Sequence, residues 1–191
     1  MSWLYVVLFA LWLVLDGYVF SEIKKIYEKG EILPTNVAIA VWTSYILHFV
    51  LIVWASLEGL WRLPINTTVA LASGLVVAAV GSIIMLLGIW EFRSFKRMSG
   101  LDTSKLVTTG IYRYSRNPQN LGLLLIFLGI SLAGRSLLAL LLTAAFAIGF
   151  HKYVVELEEP YLERIFGEEY RRYKERTPRY FGRPKSRRDN P

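Results

Sequence analysis

The chain has 191 residues, 54% of them hydrophobic and 19% charged, a formal net charge of +7 and a positive mean hydropathy. That is too apolar for an ordinary soluble domain and argues for an all-α, polytopic membrane protein. With no cysteine, disulfides, Cys-ligated metals and thiol chemistry are excluded, and neither a metal nor a nucleic acid is expected as a partner.

Five apolar blocks with almost no internal charge follow one another at 3–20, 37–57, 67–90, 119–134 and 136–155. Each reaches or falls slightly short of the roughly 20 residues that a bilayer requires, so five transmembrane helices are expected. The fourth rises only about 24 Å against a roughly 30 Å apolar core, so its start is expected below the headgroups. The first has no basic residue before it and no small-residue cleavage pattern after it, and it reads as a retained span rather than a signal peptide. Asp16, near the charged end of that block, and His48, within the second, are either functional groups or partners in helix–helix hydrogen bonds. Trp3, Trp61 and Trp90 sit near block ends, as interfacial anchors do.

Of the 22 lysines and arginines, 20 fall on the side that receives the first loop, the third loop and the tail. The other side receives only Arg62 and Arg135. The positive-inside rule then puts the N-terminus outside and the third loop and C-terminus in the cytosol of a multi-pass protein of the cell membrane. On this reading the net charge reports topology and attraction to anionic membrane lipids.

The fourth block opens with "YRYSRNPQNLG", residues 112–122. Proline suits the first helical position and asparagine the N-cap, so Asn117 is expected to cap this helix and Asn120 to lie in its first turn. A helix start presents unpaired N–H groups and a positive dipole end, which favour an anion, and Arg113 and Arg116 add charge there. The bare alternative is a capped helix whose arginines touch lipid phosphates. The fourth and fifth blocks are joined by Gly134–Arg135 or little more, which predicts an antiparallel hairpin. Its open end brings His151 and the following segment back beside the Asn-Pro start.

In that following segment Leu157, Tyr161, Leu162, Ile165, Phe166, Tyr170 and Tyr173 recur at helical steps. The pattern predicts one C-terminal cytosolic amphipathic helix, bent or restarted at Pro160. Glu156, Glu158 and Glu159 gather at the membrane edge opposite the third-loop arginines, either as a solvated acidic turn or as an acid–base meeting at the hairpin mouth. The whole, 1–191, reads as one membrane domain: three spans in 1–95, a loop, hairpin and cytosolic helix in 96–180, and a basic tail in 181–191.

The ordered pieces "LVTTGIYRYSRNPQNLG" and "ELEEPYLERIFGEEYRRYKERTPRY" resemble the integral membrane methyltransferases related to isoprenylcysteine carboxyl methyltransferase and to phospholipid methyltransferases. The resemblance implies S-adenosyl-L-methionine as cofactor, bound at the hairpin mouth. By position, Ser104, Lys105, Leu106, Val107 and Tyr112 match the lead-in that lines the cofactor, and Asn117, Pro118, Gln119 and Asn120 match the helix start that contacts it. Glu158 matches the cofactor-binding glutamate and Arg97 a further contact. Glu158, Glu159 and Arg116 are the candidate catalytic residues. Asn117 stands where the prenylcysteine enzymes have histidine, Asn120 replaces a tyrosine, and Val154 stands where those enzymes place a substrate-binding arginine. Lys152 or Arg116 would have to serve in its place.

The implied reaction is methyl transfer to a lipophilic, lipid or lipidated acceptor, as in the prenylcysteine enzymes, with phospholipid N-methylation as the alternative. An amine acceptor would first lose a proton, to Glu156, Glu159 or His151. A nicotinamide-dependent sterol- or quinone-type membrane reductase and a non-enzymatic membrane scaffold are the rival classes.

Overall fold

Four segments form helices long and apolar enough to cross a bilayer. They are α1 (Trp3–Lys29), α2 (Thr35–Leu57), α3 (Thr67–Phe92) and the 30-residue path that begins as α6 (Leu137–Tyr153). This computed structural model describes residues 2–184. Lys185, Arg187 and Arg188 of the basic tail lie outside the described residues. Among those described there are helices and turns, no strand, and one isolated antiparallel bridge between Arg62 and Ser136. The starts are chemically marked: Ser2 Oγ accepts from Tyr5 N, Asn66 Oδ1 from Thr68 N and Val69 N, and Ser136 Oγ from Ala139 N.

Of the five expected spans, four are long enough to cross a bilayer and the fourth block falls short of that length. This block is α5 (Pro118–Ala133), apolar but only 16 residues long. At 1.5 Å per residue it rises about 24 Å, short of the roughly 30 Å apolar core. Pro118 fixes one end and the Gly134–Arg135 turn the other, so it cannot lengthen.

What holds α5 is a glycine seam that the apolar pattern does not reveal. Gly74, Gly81 and Gly88 recur every seven residues on α3, facing Gly129, Gly122 and the Pro118–Gln119 start of α5 in antiparallel order. A Cβ on Gly74 would lie 2.5 Å from the Gly129 carbonyl oxygen, and one on Gly81 2.6 Å from that of Gly122. Backbones approach this closely only where side chains vanish, and such contact is how helices associate when lipid offers no hydrophobic drive. The seam also sets depth. α5 starts level with Gly88, whereas α3 continues to Phe92, so the start is recessed by about one helical turn, roughly 6 Å.

The predicted α5–α6 hairpin is present, with Ser131 Oγ and Thr143 Oγ1 3.0 Å apart across it. Its turn is clipped to the α2–α3 link: Leu63 N donates to Arg135 O (2.8 Å) and Ser136 Oγ to Leu60 O (2.7 Å). His48 fills an aromatic core formed by Trp12, Phe127 and Phe146, at ring separations of 4.5, 5.3 and 5.7 Å. Asp16 accepts a 3.0 Å hydrogen bond from Ser44, joining α1 to α2.

The C-terminal segment departs from expectation only in part. The restart at Pro160 is as expected, without a gap: α6 passes through a π-turn (Val154–Glu158) into α7 (Glu159–Phe166), with the proline in its first turn. The wider turn takes up the missing proline donor. The break comes later, at Gly167, whose φ of 53° and ψ of −125° suit glycine alone. The single amphipathic helix is therefore two, α7 and α8 (Glu168–Arg176).

Candidate functional site

At the end of the molecule that carries the third loop, four segments converge. They are a 3-10 turn (Gly110–Arg113), the start of α5, the π-turn leading into α7, and a strap, residues 177–182. Gly110 is required at its position: its φ is +54°, and a Cβ would overlap the Glu91 carboxylate. Thr109 donates to that carboxylate (2.8 Å), and Tyr112 packs edge-on against Phe92. The turn is thus fastened to the end of α3. Tyr112 is buried, and its carbonyl accepts from the Tyr173 hydroxyl at 2.8 Å.

Asn117 occupies the N-cap position but does not cap. Its side chain makes no bond to the first turn of α5; instead Nδ2 donates to the Arg179 carbonyl at 3.2 Å. The reason is tertiary: the strap lies across the helix start and offers a carbonyl, while Ser115 Oγ takes the Asn117 N–H at 3.1 Å. The first-turn N–H groups of α5 therefore keep no side-chain acceptor. Two further donors, Gln119 Nε2 and Arg116 Nε, are buried without a partner among the described residues.

The paired glutamates are sorted into different environments. Glu159, 7% exposed, is gripped by Arg116 Nη1 (2.9 Å) and by both Nε (2.7 Å) and Nη2 (3.0 Å) of Arg179. The Glu159 carboxylate raises Arg179 above the ordinary guanidinium range. Glu158, one residue earlier, is half-buried and forms no ion pair among the described residues. Burial, and next the Glu158 charge, push the Tyr112 hydroxyl up, so Tyr112 stays protonated at neutral pH.

Of the residues singled out in the sequence, Tyr112, Arg116, Asn117, Pro118, Gln119, Glu158 and Glu159 come together here. Asn120 lies in the first turn of α5 as expected. Arg97, Ser104 and Lys105 belong to the rim. Arg97 Nε lies 3.8 Å from Asp102, whose carboxylate accepts from Ser104 N and is held below its usual range chiefly by Ser104. Leu106 and Val107 are half-buried, whereas Ser104 and Lys105 are exposed. No hydrogen bond or ion pair among the described residues ties these five to Glu158 or to the start of α5. Glu156 is exposed, and His151 Nδ1 is hydrogen-bonded to the Tyr180 hydroxyl. Sequence reasoning missed Arg179 and Tyr180. Their signal was their place at the end of the second quoted piece, "TPRY", to which no role was given.

Residues 69–169 match the phospholipid methyltransferase family. The chain belongs to that family. Comparison with curated proteins and with solved structures gave no match. In this phospholipid methyltransferase family member the matched region runs from the start of α3 into α8, so it contains the glycine seam, the recessed start of α5, the hairpin and both glutamates. The family is one of integral membrane methyltransferases related to the isoprenylcysteine carboxyl methyltransferases, which fits the apolar helices. Helices α1 and α2 and the strap lie outside the match.

Proposed function

We propose that the chain transfers a methyl group from S-adenosyl-L-methionine to a lipophilic, membrane-embedded acceptor at the convergence of α5, the π-turn and the strap. The observation that carries this reading is the sorting of the two glutamates. Glu159 is neutralised by two guanidiniums, while Glu158 is left unpaired beside an uncapped helix start. One carboxylate is thus available for an ammonium or ribose hydroxyls, and N–H donors with the positive end of a helix dipole for a carboxylate. Gln119 Nε2 and Arg116 Nε are donors of the same site. These residues fit the cofactor, which when bound supplies an electrophilic sulfonium methyl.

The chain's own task is positioning and exclusion of water. Tyr112 and Gln119 line the recess, and Glu158 and the first turn of α5 hold the two charged ends of the amino-acid moiety. The acceptor reaches the site laterally from the bilayer, and the excess of basic residues on this side supports a cytosolic site with the N-terminus outside. Val154, where prenylcysteine enzymes place an arginine, is fully buried, and Arg116 is committed to Glu159. Lys152, 5.4 Å above the Phe20 ring, is the cation left for an acceptor carboxylate.

Incubating the purified protein with radiolabelled S-adenosylmethionine and a native lipid extract should move label into an extractable lipophilic product, whose identification fixes the acceptor. Absence of label, together with no calorimetric binding of the cofactor, would sink the reading.

A further inference from the structure

We infer that Arg179, ten residues beyond the family match, is a positioning residue that fixes the spacing between the two halves of the site, the start of α5 and the π-turn bearing Glu158. The inference rests on the cofactor reading above. Arg179 is bonded to both halves at once. Its carbonyl accepts from Asn117 Nδ2 at 3.2 Å, on the α5 side. Its guanidinium grips both carboxylate oxygens of Glu159, at 2.7 and 3.0 Å, on the α7 side.

The neighbours of Arg179 reinforce this placement. Pro178 O accepts from Arg116 N at 3.0 Å, Tyr180 bonds His151 at the end of α6, and Gly182 N donates to Tyr114 O at 3.0 Å. The strap is therefore stitched to the loop before α5 and to the helix that carries the glutamates. The Arg116–Glu159 pair (2.9 Å) joins the two halves directly at one point, and the strap adds a second tie through Arg179, the one that reaches Asn117 itself. Its second effect is electrostatic. Because Arg179 and Arg116 both occupy Glu159, that carboxylate is neutralised, and Glu158 is the one left without an ion-pair partner among the described residues. Without Arg179, Glu159 keeps a single partner, and the adjacent carboxylates compete for the same donors.

The cysteine-free chain gives a readout independent of the cofactor. Arg113 and Glu156 are exposed, one in the loop before α5 and the other in the π-turn. Spin labels on cysteines at these two positions report the spacing of the halves by double electron–electron resonance. A narrow distance distribution is expected in the parent, and a broad one in Arg179→Ala. By calorimetry, Arg179→Ala should bind S-adenosylmethionine roughly tenfold more weakly, from loss of a bidentate charge-assisted pair. Arg179→Lys should fall between the two, because it keeps the charge and loses the fork.

Equal affinities for all three proteins would overturn the inference. So would weaker binding by Arg179→Ala with an unchanged distance distribution. If the parent itself fails to bind the cofactor, the functional reading falls, and the spin-label comparison still judges whether Arg179 sets the spacing.

Discussion

The glycine seam between α3 and α5 makes the sharpest demand on the fold. A Cβ at Gly81 would lie 2.6 Å from the Gly122 carbonyl oxygen, 2.7 Å from Leu125 Cβ and 2.8 Å from Ile126 N. Ordinary contacts begin near 3.5 Å, so the substitution is short by about 1 Å against atoms that are mostly backbone. No rotamer change relieves that overlap, and α5 must move off α3. Gly17, in the middle of α1, provides the control: a Cβ there meets nothing within 4 Å. Both glycines are helical, so the gain in helix propensity on mutation to alanine, up to about 1 kcal/mol, is common to the two. The difference between Gly81→Ala and Gly17→Ala therefore isolates the overpacking cost, about 1–3 kcal/mol. Unfolding both variants by titration with denaturing detergent, from one mild detergent, measures it directly. Gly17→Ala should match or exceed the parent, and Gly81→Ala should unfold first. Equal midpoints would show that the α3–α5 seam is not packed as described.

The remaining predictions concern the site and its orientation. Gly88→Ala meets Gln119 Cγ at 2.8 Å, a side chain that can turn away, so stability should fall by less than for Gly81→Ala while cofactor affinity drops as Gln119 moves; calorimetry beside the unfolding series checks both. Glu158→Gln should weaken S-adenosylmethionine binding roughly tenfold or more, the loss of one charge-assisted hydrogen bond. Glu163→Gln should bind like the parent, because Glu163 is occupied by Arg171 (2.8 Å) and Lys174 (2.7 Å) outside the recess; equal dissociation constants for these two variants would remove Glu158 from the site. Single cysteines at positions 29 and 135 should be labelled from opposite faces of the membrane, the second from outside, and cytosolic labelling of position 135 would overturn the charge-based orientation.

Much of the architecture was legible in the chain because membrane helices announce themselves by composition. The long apolar runs of α1, α2, α3 and α6, the tight Gly134–Arg135 turn and the Asn-Pro start of α5 follow from local chemistry. The order of "YRYSRNPQNLG" and the glutamate pair likewise pointed to the family and to segments that meet at the hairpin mouth. Tertiary structure decided what local rules leave open. The Asn117 side chain had a local partner in its own helix, yet it bonds Arg179, because the strap brings a carbonyl to it across 62 residues of sequence. The resemblance singled out Glu158 of the adjacent glutamates, but the physical difference between the two, the convergence of Arg116 and Arg179 on Glu159, came only with the fold. The short fourth block was legible, but what holds α5 was not: glycines seven residues apart are compatible with many helices, and only a facing backbone turns them into the seam that fixes its depth. Hydropathy and capping rules read neighbours along the chain, whereas ion-pair choice and interhelical approach depend on groups that meet only after the helices have packed.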